Sequence, residues 1–296
     1  MTPEVAVGSR APAPTAGGKR WASRHPVATF FVLAYAISWL AWLPAMLGYG
    51  GRLGGPLSML AQFGPALATL VAVWLSGASP RELLRSVVRW RVSPAWYAVA
   101  VGLPAALIAV QGVVFGLLGY PVDLASVPGR LASFVPTVVI LALIAGLGEE
   151  PGWRGFALPR LQNRFAPVVA TLVLGFAWAF WHLPLVFVDP RFSHGFASAA
   201  PQVLVALLTM LTIALYAFFY TWIFNRTRSV LLCMILHGAF NAAIGIFPVS
   251  LDVLQRWTYV SLLCVQVATL LISVLALVAA TRGRLGHGDE PAPGEE

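Results

Sequence analysis

Charged side chains are scarce in this sequence. Only 10% of its 296 residues are Asp, Glu, Lys or Arg, where an ordinary soluble domain carries about 25%. That deficit excludes a cytosolic globular enzyme, which could not keep enough polar surface in water, and it excludes a disordered chain, which needs the opposite balance. Cysteine is nearly absent too: Cys233 and Cys264 both lie inside apolar runs, so no disulfide framework is implied. Lysine is represented by Lys19 alone, and the net charge of +8 is therefore carried by arginines set in short clusters between apolar runs. Clusters of that kind flank membranes; they do not make the continuous basic face that nucleic acid requires. What the chain has in excess is apolar residues, at 59%, with a mean hydropathy of +0.81. The sequence predicts an all-α, polytopic transmembrane helix bundle.

About 20 apolar residues cross a bilayer as a helix, and eight candidate spans of that kind occur: roughly 27–48, 57–76, 95–119, 131–150, 167–187, 200–224, 229–248 and 258–280. Residues 1–26 and 283–296 read as flexible tails around a transmembrane domain at 27–282. With eight spans and a cytoplasmic amino terminus, fifteen of the nineteen basic residues fall in cytoplasmic segments. Arg52, Arg130, Arg191 and Arg256 remain outside, one in each external loop. That bias satisfies the positive-inside rule and puts both termini in the cytoplasm of a cell protein spanning the plasma membrane several times.

Ionisable groups at membrane depth are costly and are functional candidates by default. Most acids here avoid that depth, but Glu149, Glu150, Arg154, His182 and His237 do not, and Asn241 lies one helical turn beyond His237. Glu150 and Arg154, spaced i, i+4, can pair on one helix face. Glu149 points about 100° away and is left without a local partner, free to take and return a proton. A glutamate, two histidines and an asparagine on three spans are the parts of a hydrolytic site. HExxH, GxSxG and a pair of intramembrane aspartates are all missing, which argues against zinc site-2-type, serine and aspartyl intramembrane enzymes.

The motifs Glu149-Glu150-x-x-x-Arg154, aromatic-x-x-x-His182 and His237-x-x-x-Asn241 resemble the three motifs of the CPBP family, which comprises the type II CAAX prenyl proteases and the Abi-type proteins. The likeness covers roughly residues 130–250. It implies an intramembrane endopeptidase acting on a hydrophobic or lipidated peptide in the bilayer. On that resemblance Glu149 activates the attacking water, His182 holds and polarises it, and His237 and Asn241 stabilise the oxyanion, while Glu150 and Arg154 brace the site. Two positions depart from the pattern. Trp178 stands where the second motif usually has Phe. Pro151 follows the glutamates and removes the backbone bond to Leu147, predicting a kink.

The same residues leave the cofactor open. Glu149, His182 and His237 could furnish a three-ligand zinc (Zn2+) site with an open position for water, or the histidines could serve only as hydrogen-bonding groups in a metal-free mechanism. Two other functions use the same residues: a proton-coupled transporter with Glu149 and the histidines as relay, and a catalytically silent immunity or scaffold protein of the membrane. Geometry sets one further condition. For Glu149 and His182 to meet, the fourth helix must start near Pro136 and run to about Leu158, with residues 122–134 interfacial. The fifth must then enter the bilayer nearer Thr171.

Overall fold

A computed structural model of the chain describes residues 21–49, 54–185, 199–247 and 256–288. Most of the two expected tails lies outside these residues. The helices among the described residues are α1 (Pro26–Met46), α2 (Gly54–Gln62), α3 (Gly64–Ser76), α4 (Pro80–Val87), α5 (Pro94–Leu117), α6 (Leu124–Gln162), α7 (Pro167–Trp181), α8 (Ala199–Thr227), α9 (Val230–Ile246) and α10 (Arg256–Ala280). Several starts follow from proline, whose fixed φ and missing N–H suit the first helical turn; Pro26, Pro80, Pro94 and Pro167 all stand there. Gly77 ends α3 in the left-handed conformation, with φ of 69°, as a helix C-terminus favours. Ser229 caps α9 by accepting from the Leu232 N–H at 3.2 Å, and its hydroxyl donates to the Arg89 carbonyl at 2.6 Å.

The polytopic helical bundle expected from composition is present. Helices α1, α5, α6, α8 and α10 are each long and apolar enough to cross a membrane, and α2 with α3 forms one further span bent by 50° at its break. Helices α7 and α9 are apolar but shorter, at 15 and 17 residues, or about 23 and 26 Å. Burial explains why α9 can be short: most of its length is enclosed, including Cys233, His237, Gly238 and Phe240. Elsewhere large apolar side chains face outward, among them Leu40, Trp74, Val113, Ile140 and Ile272. On a soluble protein such a surface would aggregate; here it is a lipid-facing belt.

Close crossings are made by glycine. A Cβ at Gly146 would stand 2.7 Å from the Met234 carbonyl oxygen, and one at Gly238 would stand 2.7 Å from the Ala142 nitrogen. These two glycines let α6 and α9 pack backbone to backbone, as small residues do between membrane helices.

Helix α6 is longer than expected. It starts at Leu124, not near Pro136, and continues to Gln162, past Leu158; α7 starts at Pro167, the first residue of the fifth candidate span. Residues 124–134, within the stretch 122–134 expected at the interface, are helical. Pro136 lies within the helix, which membrane helices tolerate because neighbours satisfy the freed backbone groups. The donor missing at Pro151 is absorbed by a π-helical stretch, Pro151–Ala157, and a second one covers Ala142–Gly146. Wide turns of this type are frequent at functional sites. The α6–α7 hairpin brings Trp178 level with Glu149 because its two arms match. Glu149 lies about 20 Å before the end of α6, and Trp178 about 17 Å after the start of α7, at 1.5 Å per residue.

Residues 283–288, read from the sequence as the start of the carboxyl-terminal tail, are among the described residues. Residues 281–288 form turns, Leu285 is fully buried, and its carbonyl accepts from Asn225 Nδ2 at 3.0 Å.

Candidate active site

Five helices, α2, α6, α7, α8 and α9, contribute residues around the glutamate pair. Glu149 and Glu150 occupy the short α-helical segment between the two π stretches of α6, with 1% and 0% of their surface exposed. Two carboxylates so deeply buried in a bilayer protein must have partners, since an unpaired buried charge costs several kcal/mol. Each glutamate has its own set. Arg154 Nη1 donates to Glu150 Oε2 at 2.9 Å and to Oε1 at 3.1 Å, the i, i+4 pair expected from sequence. His237 Nδ1 lies 2.7 Å from Glu150 Oε1. The Arg154 guanidinium lies in the corner formed by the rings of Trp178, at 4.3 Å, and Tyr220, at 4.1 Å, which stand at 70° to each other. A desolvated cation over two aromatic faces is attracted to both.

Glu149 faces the other way and is held differently. Trp178 Nε1 donates to its Oε2 at 2.6 Å, and Gln62 Nε2 donates to its Oε1. His237 Nε2 stands 3.9 Å from that same Oε1. Trp178 is the position where the sequence departs from the family motif, and its indole N–H does what a phenyl ring could not. Gln62 and Tyr220 were not among the candidates. Neutral polar and aromatic residues do not stand out when only ionisable groups are searched, although a glutamine in the apolar run 57–76 is itself a polar group at membrane depth.

His182 forms the C-cap of α7, half-buried, with Nδ1 at 2.8 Å from the Trp178 carbonyl oxygen. That contact leaves Nε2 unengaged by Trp178. The ring packs edge-on to Trp181 at 4.7 Å, and it is within electrostatic reach of Glu149 and His237. Asn241 lies one turn beyond His237 on α9 and is exposed. Among the described residues it makes no hydrogen bond to Glu149, Glu150, Arg154, His182 or His237. Cys233, one turn earlier, is buried, and its Sγ lies 3.8 Å from the Tyr220 carbonyl oxygen.

Among the described residues no three His, Cys, Asp or Glu side chains converge to hold a metal ion. Both oxygens of Glu149 accept N–H groups, and the two histidines use Nδ1 for Trp178 and Glu150, which leaves their Nε2 atoms as the available nitrogens. No step below passes through a metal.

Residues 131–243 match the family described as "Type II CAAX prenyl endopeptidase Rce1-like". The chain is also similar to CAAX prenyl protease 2 from Methanococcus maripaludis, with 32% identity over 120 residues. That alignment covers 40% of this chain and 43% of the relative, so the chain spans less than half of the relative's length. The matched region contains Glu149, Glu150, Arg154, Trp178, His182, Tyr220, His237 and Asn241, and omits Gln62. The likeness to the type II CAAX prenyl endopeptidase Rce1-like family thus runs from the early turns of α6 to the last turn of α9 and takes in the whole glutamate site except Gln62.

Proposed function

We propose that this multi-pass membrane protein is an intramembrane endopeptidase that hydrolyses a peptide bond in a hydrophobic or lipidated substrate, with Glu149 as general base. The observation that carries this reading is the 3.9 Å gap between Glu149 Oε1 and His237 Nε2. The gap is too long for a direct hydrogen bond and matches one water held by both atoms. Glu149 takes a proton from that water as its oxygen attacks the scissile carbonyl carbon. His182, tied by Nδ1 to the Trp178 carbonyl, turns its other nitrogen to polarise the same water. His237, oriented by Glu150 and carried throughout as the imidazolium, donates Nε2–H first to the water and then to the oxyanion; Asn241, one turn away on the exposed side, is the second donor. Glu149 then passes its proton to the leaving amine, and the C–N bond breaks.

The distribution of arginines supports cytoplasmic termini and a substrate entering from that side. The name of the Methanococcus maripaludis relative supports prenylated CAAX peptides as the first substrates to offer. The test is cleavage by the full chain in lipid nanodiscs, using pooled lipidated and hydrophobic peptides read by mass spectrometry. Wild type should cut and Glu149→Gln should not. Equal cutting by both, or none by wild type, would remove the protease reading and bring the transporter and scaffold readings forward.

A further inference from the structure

We infer that Gln62 is a positioning residue for the Glu149 carboxylate, paired with Trp178 so that each carboxylate oxygen receives one N–H. This rests on Glu149 being the base. Gln62 comes from outside the family region, from the end of α2, where the bent span breaks between Gln62 and Gly64. The break is pinned from two sides. Ser38 on α1 donates to the Ala61 carbonyl at 2.7 Å. On the other side the Gln62 backbone lies against α6 so closely that a Cβ at Gly148 would stand 2.6 Å from the Gln62 carbonyl oxygen. Gly148 is the residue before Glu149, so backbone contact and side-chain contact occur at one point.

A carboxylate side chain turns easily about its terminal bond. Held by one donor, Glu149 could swing its second oxygen away from His237. With Trp178 Nε1 on Oε2 and Gln62 Nε2 on Oε1, the carboxyl plane is fixed and Oε1 stays turned towards His237 Nε2. Trp178 is in turn held by the Arg154 guanidinium over its ring and by Tyr220 at 5.3 Å, so one donor comes from a packed wall. The other comes from a helix break, the one place in that span where the chain changes direction. The catalytic region is therefore completed by the amino-terminal helices.

The experiment measures kcat and KM for Gln62→Met, which keeps the length and loses the donor, and for Gln62→Leu, which loses the donor in a branched apolar side chain. Trp178→Phe removes the second donor, and Glu149→Gln is the reference. Displacing a catalytic group by about 1 Å costs on the order of 100-fold. Each donor variant should thus lose about 10- to 100-fold in kcat, with KM within about twofold and the cleavage position unchanged. The indole N–H resonance lost in Trp178→Phe should shift in Gln62→Met, while the remaining indole signals report an intact fold. Wild-type kcat in both Gln62 variants, with Glu149→Gln inactive, overturns the positioning role and leaves the protease reading standing. A Glu149→Gln enzyme that cuts like wild type overturns both.

Discussion

Arg154 is the residue whose loss the structure prices most directly. Its Nη1 lies 2.9 Å from Glu150 Oε2, and neither side chain is exposed. Charges at that distance attract by about 6 kcal/mol at an effective dielectric constant of about 20, and breaking a buried pair costs about 3–5 kcal/mol because the surviving charge is left uncompensated. Two features place Arg154→Met towards the lower end. His237 Nδ1, at 2.7 Å, still partners Glu150, and a methionine thioether keeps favourable contact with the Trp178 and Tyr220 rings. The expected loss is about 3 kcal/mol. The double variant Glu150→Gln/Arg154→Met buries no orphan charge, so its cost should fall short of the summed single costs by about 2 kcal/mol or more. Unfolding by dodecyl sulfate in mixed micelles, followed by tryptophan fluorescence, measures all three variants. An Arg154→Met protein within about 1 kcal/mol of wild type, or strictly additive costs, would refute the claim that this pair is held together in a dry interior.

Two further outcomes follow from the packing and the donor geometry. Gly238→Ala inserts a methyl group 2.7 Å from the Ala142 nitrogen, against α6 backbone; overpacking of this kind should cost about 1–3 kcal/mol in the same assay. Cleavage should also fall, because His237 is the adjacent residue, whereas an exposed site such as Gly102, with open space around its Cβ position, should accept alanine without either loss. The mechanism drawn from Glu149 uses no metal, so cleavage should survive prolonged dialysis against a chelator with activity within about twofold of the untreated protein. Activity lost on chelation and restored by stoichiometric zinc would return Glu149, His182 and His237 to the role of ligands.

Legibility from sequence divided along the range of the interactions involved. The existence and type of the helices could be read because each apolar run carries its own signal, and the bilayer fixes how long such a run must be. The Glu150–Arg154 pair could be read for a similar reason: it is a local contact, set by the helical repeat alone. The boundaries of α6 could not, since its continuation from Leu124 through Pro136 and Pro151 to Gln162 depends on neighbours that make up for missing backbone donors. No local pattern records those neighbours.

The site shows the same division in finer detail. Charged members were visible by cost, because a carboxylate or histidine at membrane depth needs a reason to be there. Gln62, Trp178 and Tyr220 are cheap individually and act only through a juxtaposition: a helix break against Gly148, an indole N–H at the level of Glu149, a ring over a guanidinium. The departure from the motif at Trp178 was visible, yet without its partner it read as a tolerated aromatic exchange. Once the partner is known, the exchange gains a chemical meaning: the residue that differs from the motif is one of the two that donate to Glu149. Departures from a motif that add a hydrogen-bonding atom are therefore better read as compensated than as tolerated, and the place to look for the compensation is the functional group nearest that atom.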